Sequence, residues 1–177
     1  RSLSLSAHAM SLVRALRNAD ADMVSRRAIA LAETLPPGRA LARAYATESY
    51  LRMLNRDYNA AIDWGEKAVA LAERAGDLAT KASALVSLGA ALMFVDYPRG
   101  CALVAKSLEL ARGLDDGGAG VADAYVMLGT ASGELHDFAA AERYLADGIA
   151  FARAHDLDRL AGYMESWQAL CDFYRGR

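Results

Sequence analysis

Cysteine, histidine, proline and lysine are all scarce in these 177 residues, at two, three, three and three copies. Each scarcity removes a class of protein. The two thiols, Cys101 and Cys171, match no paired-cysteine or zinc spacing, so neither a disulfide framework nor a structural metal holds the fold. Burial in a reducing compartment is expected for both, which places the chain in the cytoplasm. His8, His136 and His155 stand apart, none four residues from another His or Cys, and a metal site built from this chain is not expected. His136 falls in a turn and His155 near a helix end, where an imidazole meets free carbonyls. Long apolar runs are missing too. Ala82 to Val95 falls short of the roughly 20 residues of a membrane span and is followed at once by Asp96. No membrane partner is expected. Arg1 to Ser11 lacks the continuous apolar run of a secretory leader.

A basic surplus is also absent. The net charge is -2, without the cationic stripe that replaces counterions on nucleic acid, so no direct nucleic-acid contact is expected. The charge is uneven: residues 1 to 56 carry nine Arg against four acids, hence +5, and residues 57 to 177 carry eleven basic against eighteen acidic groups, hence -7. Halves of opposite sign allow electrostatic docking, a homodimer included; solvated helix faces are the plainer account. Catalytic patterns are missing as well. Gly117-Gly118-Ala119-Gly120 after Asp115-Asp116 lacks the Lys and Ser or Thr of a phosphate cradle, and no strand precedes it, so it reads as an inter-repeat turn with an aspartate cap. Gly-x-Ser-x-Gly does not occur, and neither cysteine has an evident His and acid to pair with. No catalytic residue and no cofactor is expected.

What is present is alanine, in a chain that is 54% hydrophobic, and a recurring block of six residues. The block reads Ala28-Ile29-Ala30-Leu31-Ala32-Glu33, then Ala68 to Glu73, Ser107 to Arg112 and Gly148 to Arg153, at offsets of 40, 39 and 41. A near-constant period of this size marks stacked supersecondary units. Each period divides into two helices. Ala40 to Asn55 turns at Arg56-Asp57-Tyr58 into Asn59 to Ala75, and Gly76-Asp77 closes the unit. The next unit runs from Leu78, turns at Asp96-Tyr97-Pro98 and continues to Arg112, with Pro98 at a helix start. The fourth runs Val121 to Leu135, turns at His136-Asp137-Phe138 and ends at Ala154. In the first unit Ser4 to Arg17 reads as one helix, Asp20 or Asp22 as a cap, and Met23 to Leu35 as the partner before Pro36-Pro37-Gly38. Arg159 to Tyr174 supplies a fifth first helix without a partner before Arg177, which suggests a piece of a longer polypeptide. The units are approximately 1–38, 39–77, 78–117, 118–157 and a truncated 158–177.

Leu88-Gly89 and Leu128-Gly129 in first helices, the turns Asp57-Tyr58, Asp96-Tyr97 and Asp137-Phe138, small Ala61 and Ala141 early in second helices, and Ala68, Ser107 and Gly148 later in them form one pattern. It resembles the tetratricopeptide repeat in a lengthened form of about 40 residues. Arg56 and His136 stand where that family's turn has glycine, and the first unit lacks both Leu-Gly and the aromatic. The longer form is similar to the helical-repeat regions of large bacterial ATP-dependent transcription regulators of the maltose-activator type, and the Ala- and Arg-rich composition is that of a GC-rich bacterial genome. The resemblance implies an all-α, right-handed superhelix of about four and a half helix pairs. It also implies a non-catalytic protein-interaction or sensor module within a larger signalling or regulatory protein, the alternative being a stand-alone scaffold that joins proteins without sensing a ligand.

In that family first helices line the concave side. Projected onto this sequence, the groove receives Tyr50, Met53 and Leu54; Ala90, Met93 and Phe94; Thr130, Gly133 and Glu134; and Tyr163, Ser166, Leu170, Phe173 and Tyr174. The set is apolar and aromatic, without the Lys, Arg and Asn that the family uses to grip a terminal carboxylate. It suits an apolar peptide, a partner helix or a hydrophobic small ligand. The competing account is that these side chains only pack between helices.

Overall fold

The computed structural model describes residues 1–115 and 117–177. The Asp116 half of the expected aspartate cap lies outside the described residues. Among these residues there are nine helices and no strand: α1 (Ser2–Arg14), α2 (Asn18–Glu33), α3 (Arg39–Leu54), α4 (Tyr58–Arg74), α5 (Leu78–Met93), α6 (Tyr97–Arg112), α7 (Gly118–Glu134), α8 (Phe138–Ala154) and α9 (Asp158–Tyr174).

The turns explain why the helices stop where they do. Leu16, Arg56, His136 and Asp156 adopt left-handed backbone conformations at helix ends, as does Gly76. In each case the next residue's N–H closes the turn on a carbonyl five positions back, at 2.8–2.9 Å; Asp57 to Arg52 and Asp137 to Ser132 are examples. These bonds satisfy orphan carbonyls and set a fixed exit angle. Asp57, Asp77, Asp96 and Asp137 then cap the following helices by accepting from Ala60, Thr80, Arg99 and Ala140. Pro98 sits in the first turn of α6, where its missing N–H costs nothing.

The first unit corrects the sequence reading. Leu16 closes α1 after Arg14, three residues before the expected end, so α2 starts at Asn18 instead of Met23. Neither Asp20 nor Asp22 is the cap. Asp20 pairs with Arg17 at 2.7 Å, and Asp22 pairs with Arg26 and with Arg52 of α3. Arg52 also holds buried Glu48 at 2.9 Å, and Glu48 accepts from Ser25 at 2.7 Å, so a polar network joins this unit to the next.

Packing follows one rule through the chain. Each first helix packs on its own second helix and on the first helix of the next unit, and each second helix packs on the following first helix. Among the described residues, second helices do not pack on one another. First helices therefore form the inner layer of a helical-repeat superhelix and second helices the outer one. Small residues set the spacing where axes cross. Ala61, Ala68, Ala141 and Ser107 are fully buried, and Ser107 and Ser49 donate across to carbonyls of Ala82 and Ala61, each at 2.8 Å. At Gly100 the two helices of the third unit come so close that a Cβ would lie 2.4 Å from the Met93 nitrogen. The turn aromatics tie successive units. Tyr58 stacks on Phe94 with ring centroids 4.6 Å apart, and the Tyr97 hydroxyl reaches Ser132 at 2.8 Å and Asp137 at 3.0 Å.

Candidate functional site

The forty-residue register decides which first-helix positions face the groove. Ser49, Gly89 and Gly129 occupy one register position, each against its own second helix: Ser49 bonds to α4, a Cβ on Gly89 would touch Val104 of α6, and one on Gly129 would touch Leu145 of α8. Four residues on, Met53, Met93, Gly133 and Phe173 share another position. Met93 is 1% exposed and Met53 8%, both enclosed between helices. The expectation that these two methionines line the groove is corrected on this point: their flexible side chains fill the seam between successive first helices. Gly133 does the same job by omission, since a Cβ there would lie 2.9 Å from the Cys171 sulfur and 3.7 Å from the Trp167 ring. α9 has no first helix beyond it among the described residues, and Phe173 in this seam position is 74% exposed.

Ala90, Thr130 and Gly133 are buried as well, and the other projected residues reach the surface. Tyr50 is half-buried against Met53, Ala90 and Ala91, and Leu54 is exposed. Phe94 is half-buried under Tyr58, with the Arg56 guanidinium 5.9 Å from its ring centre. Glu134 accepts from Arg56 at 2.7 Å, and Arg56 also donates to the Tyr58 hydroxyl at 3.0 Å. The bond to Glu134, followed by that to Tyr58, holds the guanidinium charged beyond its ordinary range. An ion pair between the second and fourth units, spanning the third, shows how strongly the inner face curves. Tyr163 and Leu170 are exposed, as is Tyr174, at 59%.

Helices α7 and α9, with the turns that carry Arg56 and His136, line an open cavity of about 350 Å³ at the C-terminal ends of α7 and α9. Its walls include Glu134, Leu170 and Tyr174 from the projected set, with Gly133 at its base, and add Arg56, His136, Trp167 and Cys171. His136 meets the Tyr174 ring edge-on at 6.1 Å. Sequence reasoning missed Arg56, His136 and Trp167 as lining residues. The signal was available for the first two, since both replace the turn glycine and both project from a left-handed position at the groove edge. A second hollow, about 560 Å³, lies on the other end of the stack between Arg1, Leu5, His8, Arg27 and Leu31, and contains none of the projected residues.

No known family matches the chain by sequence, and no curated protein does. Solved structures do match. Among 22 such chains is the crystal structure of BtubC (BKLC) from P. vanneervenii, with a TM-score of 0.63 at 18% identity, over 94% of this chain and 75% of that one. The shared feature is the helical fold. At this identity the likeness extends no further. No helix of the described residues is long and apolar enough to cross a membrane.

Proposed function

We propose that this chain is a non-catalytic interaction module of the tetratricopeptide-repeat type, and that it takes an apolar segment of a partner protein at the open edge between α7 and α9. The observation that carries this reading is the conjunction of the cavity with the exposed Leu170, Phe173 and Tyr174 beside it. Exposed aromatics that continue a buried seam, next to a hollow with an Arg–Glu pair on its rim, form an anchor pocket with a polar edge. The cavity is at the low end of the roughly 300–1,000 Å³ of small-molecule sites, so it suits one or two side chains of a peptide or helix better than a whole cofactor. The setting we propose is a cytoplasmic bacterial regulator in which the repeats pass a binding event to neighbouring domains.

Trp167 lines the cavity and provides the readout. In a Trp64→Phe background, peptides selected on the immobilised wild-type chain should change Trp167 fluorescence saturably. Leu170→Ala and Tyr174→Ala should each weaken binding about tenfold, the cost of losing one anchor side chain. Selected peptides that bind both variants with wild-type affinity would overturn the proposal.

A further inference from the structure

The Arg56–Glu134 pair on the cavity wall ties together two units whose helices do not touch. Arg56 stands in the turn that closes α3 of the second unit, Glu134 ends α7 of the fourth, and no helix of either unit packs on a helix of the other. Among the described residues this bond is also the one polar link between them. Helix packing therefore does not require it. The Arg56 side chain is 62% exposed, and an ion pair so open to water gains little over its separated partners.

Glu134 is poorly placed for its own helix. The C-terminal end of a helix carries partial negative charge, and α1, α3, α4, α6 and α8 each meet it with an arginine in the last turn. α7 ends on a carboxylate instead. At the same step of the repeat the second, third and fifth units carry Leu54, Phe94 and Tyr174, so the acid is peculiar to the fourth. Arg56, for its part, has capacity that Glu134 leaves unused. Its Nη1 donates both to Glu134 Oε2 at 2.7 Å and to the Tyr58 hydroxyl at 3.0 Å, while Nε and Nη2 make no hydrogen bond among the described residues. The Phe94 ring, 5.9 Å from the guanidinium and stacked on Tyr58, supports the fork from one side.

We infer that Glu134 is a built-in stand-in for an acidic side chain of the partner, which displaces it from Arg56 when the partner's apolar anchor enters the cavity. The inference rests on the reading of the cavity as the partner site and adds the partner's chemistry, an Asp or Glu beside the anchor residue. An incoming carboxylate can take two nitrogens of the fork side by side, and it is not held at a helix end of its own sign. His136, Trp167 and Tyr174 line the same cavity and supply further donors. Exchange of one carboxylate for the other unties the second unit from the fourth, so occupancy of the cavity is felt across the third.

The test uses the whole chain in the Trp64→Phe background, titrated with two end-blocked peptides, N-acetyl-Leu-Glu-Leu-amide and its isostere N-acetyl-Leu-Gln-Leu-amide, and read by Trp167 fluorescence. The Glu peptide should bind about tenfold more tightly than the Gln peptide. Arg56→Gln should erase that difference. Glu134→Gln should tighten the Glu peptide about threefold because the competitor is gone, a direction that loss of a merely structural contact does not give. Leu170→Ala, which removes an apolar wall, should weaken both peptides alike. Equal affinity of the two peptides for the unsubstituted site, or a Glu134→Gln variant that binds the Glu peptide more weakly, would overturn the stand-in and leave the cavity as the partner site. Failure of both peptides to change Trp167 fluorescence would overturn the two readings together.

Discussion

The same chemical change, glycine to alanine within a helix, should have opposite effects at Gly100 and Gly162. In α9 nothing lies within 4 Å of a Cβ built on Gly162, so alanine there adds helix propensity and meets no neighbour. The gain is about 0.8–1 kcal/mol. In α6 a Cβ on Gly100 would lie 2.4 Å from the Met93 nitrogen and 2.7 Å from both the Met93 Cα and the Gly89 oxygen. All three are backbone atoms, so no rotamer change relieves the contact. The helices must separate by about 1 Å, which forfeits a large part of the dispersion energy along that seam. Overpacking of this kind costs about 1–3 kcal/mol, and a backbone clash belongs at the upper end. Set against at most about 1 kcal/mol of propensity, the net loss for Gly100→Ala is about 2 kcal/mol, or roughly 4–8 °C in Tm for a chain of this length. Urea unfolding followed by the helical circular dichroism signal measures both variants, and an unchanged m value confirms that the shift is one of native stability. A Gly100→Ala variant as stable as wild type would refute the close approach that sets the helix spacing.

Met93→Ala should cost about 2–5 kcal/mol by urea titration because it empties a fully enclosed position, while peptide affinity per folded molecule stays at the wild-type value. Asp77 should govern the acid limb of the stability curve. Burial alone would raise its carboxyl, but the Thr80 backbone and hydroxyl donors and Arg39 outweigh that and hold it below the ordinary range. Its contribution is complete above the unfolded carboxylate pKa and is lost as pH falls through the lower folded value, so wild type should lose stability below about pH 4. Asp77→Ala should flatten that limb and cost about 1 kcal/mol at neutral pH through the lost cap. Asp123 has the opposite sign. Its folded carboxyl holds its proton more tightly than the unfolded one, so its ionisation opposes folding as pH rises, and Asp123→Asn should raise Tm at pH 7. A lower Tm for that variant would show that the carboxylate stabilises the fold instead of opposing it.

The outline of the fold was legible because local chemistry repeats. Aspartate before each turn aromatic, Leu-Gly in first helices and alanine in second helices each solve a local problem, a cap, a crossing or a seam, and the solution recurs at one period. Helix ends were placed within three residues from α3 onward. The first unit misled because Leu16 takes a left-handed turn position normally filled by glycine or asparagine, so the sequence carries no stop signal after Arg14. The groove was harder to read. Helical periodicity places Met53 and Leu54 on one face, but the superhelical curvature that buries the first and exposes the second is a property of the stack. The partnership of Arg56 with Glu134 spans 78 residues. Such pairings are set by how far the superhelix turns, which no local pattern encodes.

The central claim, that the inner edge formed by α7 and α9 receives a partner, is tested most directly by hydrogen–deuterium exchange of the whole chain with and without a selected peptide. The account predicts slowed exchange confined to residues 133–137 and 163–174, with the outer helices α4 and α6 unchanged. Protection confined to the outer helices, with the α7–α9 edge exchanging as in the free chain, would contradict it.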